Sequence, residues 1–258
     1  MISDNQEMAF RVELLIRSIK KFSNQPTTFS VIVNGTENKP LTLPLNLTVG
    51  TIGNKYVADN AEIHRCPYHW LIPAPSRWFI KPKSDPCIFI DADMIACRDL
   101  TPIYNLSKDY LHGVTALNSH LNANQWKSLG MESSDLERYF NFGMLVIPNK
   151  YMIDIGTKMF DHIQKITSSF PEHQYFAGQI ALACTLKELK VPLNVLPKKF
   201  NWYDLLPPQN LEEILFLHYM SNQRKVLNET DACMISGNPY AKLISETAKS
   251  IYRRKIFI

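Results

Sequence analysis

Apolar positions Val12, Leu15, Ile16, Ile19 and Phe22 recur at spacings of three and four within residues 7–22, which predicts one face of a helix. The β-branched run at residues 28–33 ends at Asn34-Gly35 and reads as a strand closed by a turn. Residues 40–83 carry several prolines and little period, the pattern of short elements and loops laid over a sheet. Cys87-Ile88-Phe89-Ile90 is continuously apolar and stops at Asp91, as expected of a parallel strand covered on both faces. Residues 113–117, 144–147, 193–196 and 214–217 predict further strands, and helical patterns at 151–166 and 176–190 separate three of them. This alternation predicts an α/β sandwich with a largely parallel sheet. No repeat, low-complexity tract or linker interrupts the pattern, so one domain over residues 1–258 is expected.

With 45% hydrophobic and 20% charged residues, the chain can bury a sizeable core. The formal charge of +4 arises from dispersed Lys and Arg, without the basic runs and interleaved aromatics of a nucleic-acid groove. Five cysteines, odd in number and without CxxC spacing, signal neither a disulfide framework nor a zinc site, and reduced, buried thiols are expected. No apolar run approaches the roughly 18 residues that span a bilayer, and the N-terminus lacks a signal-peptide pattern, so the expected compartment is the cytoplasm. The terminal YRRKIFI mixes basic and apolar residues and leaves peripheral contact with an anionic membrane open.

Candidate chemistry begins at Asp91-Ala92-Asp93. In extended backbone these two carboxylates project to the same side, where they can serve one divalent cation and its ligand. A D-x-D triplet arises by chance in roughly half of chains this long, but the apolar strand directly before it makes an accident far rarer. In open α/β sheets ligands sit beyond the carboxyl ends of strands, which is where this pair falls. A bound Mg²⁺ or Mn²⁺ there would offset the charge that grows on a departing diphosphate.

Four segments resemble the nucleotide-sugar glycosyltransferases of GT-A fold, and among them the family that includes glycogenin and bacterial galactosyltransferases: CIFIDADM, YFNFGMLVIP, FAGQIALACTLKELKVPLNVLPKKFNW and FLHYMSNQRK. Together they span residues 87–225 in the family's order. The resemblance implies a GT-A, Rossmann-like three-layer sandwich with a mostly parallel central sheet. It implies Asp91, Asp93 and His218 as metal ligands, with Asp91 also touching the donor ribose. It places Asn141 against the donor sugar, Gln179 near the anomeric carbon, and Arg224 on the diphosphate, with Lys225 and Arg77 as weaker donor contacts. Asp4 and Asn5, in a first loop similar to the family's, would approach the nucleobase.

Departures accompany the likeness. Only Met1 and Ile2 precede Ser3-Asp4, where the family has a full strand, so a truncated or vestigial first strand is expected. Gly178 stands where an acid often precedes the Gln, Ser221 replaces a Gly, and Val226 sits where a Pro is usual.

Read without the resemblance, His218 is a hydrogen-bonded residue at a strand end, Asn141 and Gly143 mark a turn into a strand, Gln179 caps or faces solvent, and Arg224-Lys225 is a surface pair. Phe200, Trp202 and Tyr203 are core in the first instance and an acceptor platform in the second. The functional expectation is transfer of a hexose-type sugar from a nucleotide diphosphate sugar, uridine-linked, to a hydroxyl of a glycan, lipid or small molecule, with retained configuration and dependence on Mn²⁺ or Mg²⁺. The alternatives are a sugar-phosphate nucleotidyltransferase, for which no Gly-rich basic N-terminal loop is found, and a catalytically silent carbohydrate-binding relative.

Overall fold

A computed structural model describes residues 6–34, 61–66, 85–203 and 213–218. The predicted first helix is α1 (Gln6–Phe22), and Val12, Leu15, Ile16 and Ile19 are buried along it as the spacing requires. Strand β1 (Phe29–Asn34) pairs in parallel with β2 (Ala61–Cys66). The Asn34-Gly35 turn lies outside the described residues, as do Asp4, Asn5, Arg77, Arg224, Lys225 and the terminal YRRKIFI.

A four-stranded sheet follows from β3 (Cys87–Ile90), β5 (Leu111–Thr115), β6 (Phe140–Ile147) and β7 (Leu193–Val195), in the order β3-β6-β5-β7. A separate ribbon joins β4 (Met94–Ala96) to β8 (Phe216–His218). The short helices α2 (Thr101–Tyr104) and α3 (Ala123–Ser128) decorate the connections, and α4 (Asn149–Ser169) and α5 (Ala177–Glu188) form the crossover.

The α/β class is the expected one, with a mixed sheet. β5 runs parallel to β7, whereas β6 runs antiparallel to both β3 and β5. The apolar run of β3, expected to pair in parallel, therefore pairs antiparallel. Such a run reports burial on both faces, and an antiparallel neighbour satisfies that condition equally well. Phe89 packs into one core, while Ile88 and Ile90 pack against the other.

Those two cores lie on opposite faces of the sheet. On one, α4 presents Met152, Ile155, Met159, Ile163 and Ile166 at helical spacing, and α5 is buried almost throughout from Ala177 to Leu186. On the other, α1 packs over β4 and β8, and buried Ser18 of α1 accepts a hydrogen bond from the Ala96 amide at 2.9 Å. Strand β6 feeds both layers: Leu145 and Ile147 face the α4/α5 core and Met144 and Val146 face α1. Burying each such side chain contributes about 1.5–3 kcal/mol.

The phase of β6 changes partway along. His112 pairs with Val146 and Gly113 with Leu145, yet Thr115 pairs with Phe140, so two steps on β5 span five on β6. The surplus makes a wide irregularity between Phe140 and Leu145, which bends the strand and re-aims its side chains. Asn141 and Gly143 lie within it.

Candidate metal and donor site

Asp91 sits past the end of β3, its amide donating to the Gly143 carbonyl at 2.9 Å, and Ala92-Asp93 turn the chain into β4. The two carboxylates therefore converge through a turn instead of through the alternation of an extended strand. Antiparallel pairing of β4 with β8 sets Met94 opposite His218, which brings the imidazole beside Asp93. The backbone of His218 is fixed from the other side too, since its amide donates to the Trp202 carbonyl at 2.8 Å.

Donor atoms of Asp91, Asp93 and His218 all lie within 4.8 Å of one another, and His218 Nε2 is 3.3 Å from Asp93 Oδ1. Ligands about 2.1 Å from a shared ion at right angles would be roughly 3 Å apart, so two carboxylates and an imidazole at these separations fit a hard or borderline divalent cation with little adjustment. His218 is buried, whereas Asp91 and Asp93 are half-buried, so the site is open on the carboxylate side.

Behind the imidazole lies a polar cradle. Asn141 Oδ1 accepts the Gly143 amide at 2.8 Å and Asn201 Nδ2 at 2.8 Å, and it is 3.2 Å from His218 Nδ1. Asn201 is fully buried, and its own Oδ1 finds no hydrogen-bond donor among the described residues. Gly143 is confined: a Cβ there would overlap His218 Nδ1 and fall 2.7 Å from Asn201 Oδ1 and 2.9 Å from Asn141 Oδ1. Asn141 and Gly143 thus do more than mark a turn.

Gln179 is buried in the first turn of α5 rather than solvated. It lies beside the Tyr139 hydroxyl, whose pKa burial pushes higher than usual, with Gln179 and His120 opposing that shift. His120 Nδ1 makes a very short hydrogen bond to the same hydroxyl and stacks on Phe176 at 3.4 Å between centroids. Burial, and then the charge of His173, lower the pKa of His120.

Phe200 and Tyr203 are core, with the Tyr203 hydroxyl donating to the Thr115 carbonyl at 2.6 Å. Trp202 is half-buried, with Lys198 Nζ 4.8 Å from its ring centroid. Cys97 and Cys184 are in no disulfide, and burial pushes their thiols up to about 12. No helix among the described residues is long and apolar enough to cross a membrane.

Of the ten residues singled out from sequence, Asp91, Asp93, His218 and Asn141 come together, Gln179 is placed on α5, and the other five lie outside the described residues. Sequence reasoning assigned no role to Asn201, Tyr139 and His120. Only the Asn of the Phe-Asn-Trp turn carried a signal, as part of a recurring segment.

No curated protein sequence matches this chain. Among solved structures, the galactosyltransferase LgtC, in complex with donor and acceptor sugar analogues, superposes with a TM-score of 0.64 at 14% identity over 95% of this chain and 93% of its own. The apo glycosyltransferase GlyE of Streptococcus pneumoniae TIGR4 gives 0.58 at 18% identity over 95% of this chain, and the apo bifunctional glycosyltransferase WbbM gives 0.53 at 16% over 94%. The chain spans 59% of the GlyE structure and 50% of the WbbM structure. At these identities the likeness establishes the GT-A fold. The model of the family described as "Glycosyl transferase family 8" matches residues 76–225, more than half of the chain and all four of the segments above, and on that match the chain belongs to glycosyl transferase family 8.

Proposed function

We propose that this protein, as a single GT-A domain over residues 1–258, transfers a hexose-type sugar from a uridine-linked nucleotide diphosphate donor to a hydroxyl acceptor, with a divalent cation held by Asp91, Asp93 and His218. The convergence of these three side chains within 4.8 Å carries the reading, because the last residue of β8 and the turn after β3 meet there in donor atoms suited to Mn²⁺ or Mg²⁺. When bound, the cation offsets the negative charge that develops on the departing diphosphate.

The chain's own residues do the rest of the work in this reading. Asn141 offers Nδ2, which has no partner among the described residues, to a donor hydroxyl, while its Oδ1 stays engaged behind it. Gln179, buried in the first turn of α5, presents a neutral amide to the sugar near the anomeric carbon. Arg224, with Lys225 and Arg77, balances the diphosphate through forked or point-charge donors, and Asp4 and Asn5 contact the base. Family likeness supports retained configuration, and the acceptor is a glycan, lipid or small molecule.

Incubation with a panel of nucleotide sugars and Mn²⁺ tests the proposal through slow donor hydrolysis. Free nucleoside diphosphate is expected from one donor, and Asp93→Ala should lower its release by roughly 100- to 1000-fold, the scale of losing one preorganised charge stabiliser. Release of pyrophosphate from a nucleoside triphosphate and a sugar phosphate, or turnover that Asp93→Ala leaves intact, would overturn it.

A further inference from the structure

We infer that Asn141, anchored by Asn201 and seated over Gly143, is a positioning residue for His218: its Oδ1 accepts a hydrogen bond from Nδ1–H and leaves the Nε2 lone pair facing Asp91 and Asp93. The inference rests on reading this corner as a cation site and supplies the device that makes its imidazole a ligand.

Amide oxygen and nitrogen are normally assigned from the surrounding hydrogen bonds. The Gly143 backbone N–H can only donate, and it points at the Asn141 side chain from 2.8 Å, so the atom it meets is the oxygen. Asn201 Nδ2, a donor at 2.8 Å, meets the same atom and agrees. His218 Nδ1 lies 3.2 Å from that oxygen and must donate to it.

A neutral imidazole carries one N–H and one lone pair, so the lone pair falls on Nε2, the nitrogen 3.3 Å from Asp93 Oδ1. Ligating histidines characteristically have the far nitrogen held by an acceptor, which fixes the ring and raises its basicity. Here the acceptor is a neutral amide rather than a carboxylate.

Two further features point the same way. Any side chain at position 143 would occupy the space of Nδ1, so a glycine is required for the ring to reach Asn141. Asn201 is wholly buried and leaves its Oδ1 without a donor among the described residues while its Nδ2 reaches Asn141, a cost the fold carries at this place. The surplus residues of β6 bring Asn141 and Gly143 to the imidazole together.

The test uses the whole protein, with ¹⁵N-labelled histidine, in mildly alkaline, metal-free buffer. The two-bond ¹H–¹⁵N spectrum of His218, assigned by comparison with His218→Gln, should show the proton on Nδ1. Mn²⁺ alone is then titrated and followed by electron paramagnetic resonance. Asn141→Ala should weaken Mn²⁺ binding by about 10- to 100-fold, Asn141→Asp, which keeps the oxygen, should recover most of that loss, and Asn201→Ala should show a smaller deficit.

A proton on Nε2 in the wild-type protein would overturn the inference without any Asn141 variant, which guards against one that fails to fold. Wild-type binding that Asn141→Ala preserves would overturn it while leaving the cation site standing. Wild-type protein that takes up no Mn²⁺ would overturn the cation reading, and this inference with it.

Discussion

At the acidic corner the functional side chains are held by polar contacts that leave no spare room, with a glycine, two asparagines and two strand backbones locating one imidazole. Around Gln179 the means are different: a helix buried from Ala177 to Leu186, a stack of His120 on Phe176, and Trp126 edge-on to Tyr139 at 5.3 Å. The first region concentrates charge and directional bonds, and in the second burial lowers the pKa of His120 and raises that of Tyr139. Two glycines separate these strategies by experiment, because a Cβ at Gly143 meets donor and acceptor atoms whereas one at Gly113 falls 2.7 Å from Phe140 Cγ and 2.9 Å from Leu145 Cδ2.

The largest expected effect is at Gly143. Gly143→Ala should weaken Mn²⁺ binding by about 100-fold, because overpacking costs about 1–3 kcal/mol and the imidazole is what must yield. Gly113→Ala should lower the melting temperature but leave the Mn²⁺ affinity of the folded protein unchanged. A titration with Mn²⁺ and a thermal melt of each variant decide the matter, and equal Mn²⁺ affinity in both would erase the contrast.

Cation binding itself should be visible in stability. Mn²⁺ at about 100 times its Kd should add about 2.7 kcal/mol to the folded state, and chelation should reverse the gain. The shift in melting temperature should vanish in Asp93→Ala and persist in Tyr139→Phe.

Tyr139→Phe probes the other region. It removes the hydroxyl that hydrogen-bonds His120 beside Gln179, and turnover should fall by about tenfold, one hydrogen bond's worth, with Mn²⁺ affinity unaltered. A loss of Mn²⁺ affinity instead would show that the two regions are coupled.

The smallest effect concerns pH. Burial lowers the pKa of both His112 and His120, partly opposed at His112 by its 2.7 Å bond to the Ser107 carbonyl and reinforced at His120 by His173. The unfolded chain therefore binds protons more readily than the folded one, and stability should fall as pH drops through about 6.5, the ordinary histidine value. His120→Phe should flatten part of that slope, read as a change of about 2 °C in melting temperature between neutral and acidic buffer.

Elements with a strong local period were legible without coordinates. Residues 7–22 and 151–166 formed the helices their spacing required, and the apolar run before Asp91 formed a strand. Strand direction was not legible, because burial on both faces looks the same in parallel and antiparallel pairing. The acidic pair was visible as a local motif, and His218 only through its place in a recurring set of segments. Asn201 stood in a recurring segment without showing its role and Tyr139 gave no sign of its own, since an asparagine after Phe200 and a tyrosine before a strand are ordinary turn and core residues until something is packed against them.

The sequence alone determined which of the longer periodic segments would be helix and strand and that two neighbouring carboxylates would follow β3, since both follow from patterns along a few consecutive residues. The tertiary structure decided that β6 carries surplus residues against β5, that β8 lies beside β4, and that Asn141, Asn201 and Gly143 meet at one nitrogen of His218. Apart from the Asn141–Gly143 pair, these are contacts between residues 25 to 124 positions apart in the chain, and only packing, which minimises void and unpaired polar atoms over the whole molecule, selects among the many partners each could have had.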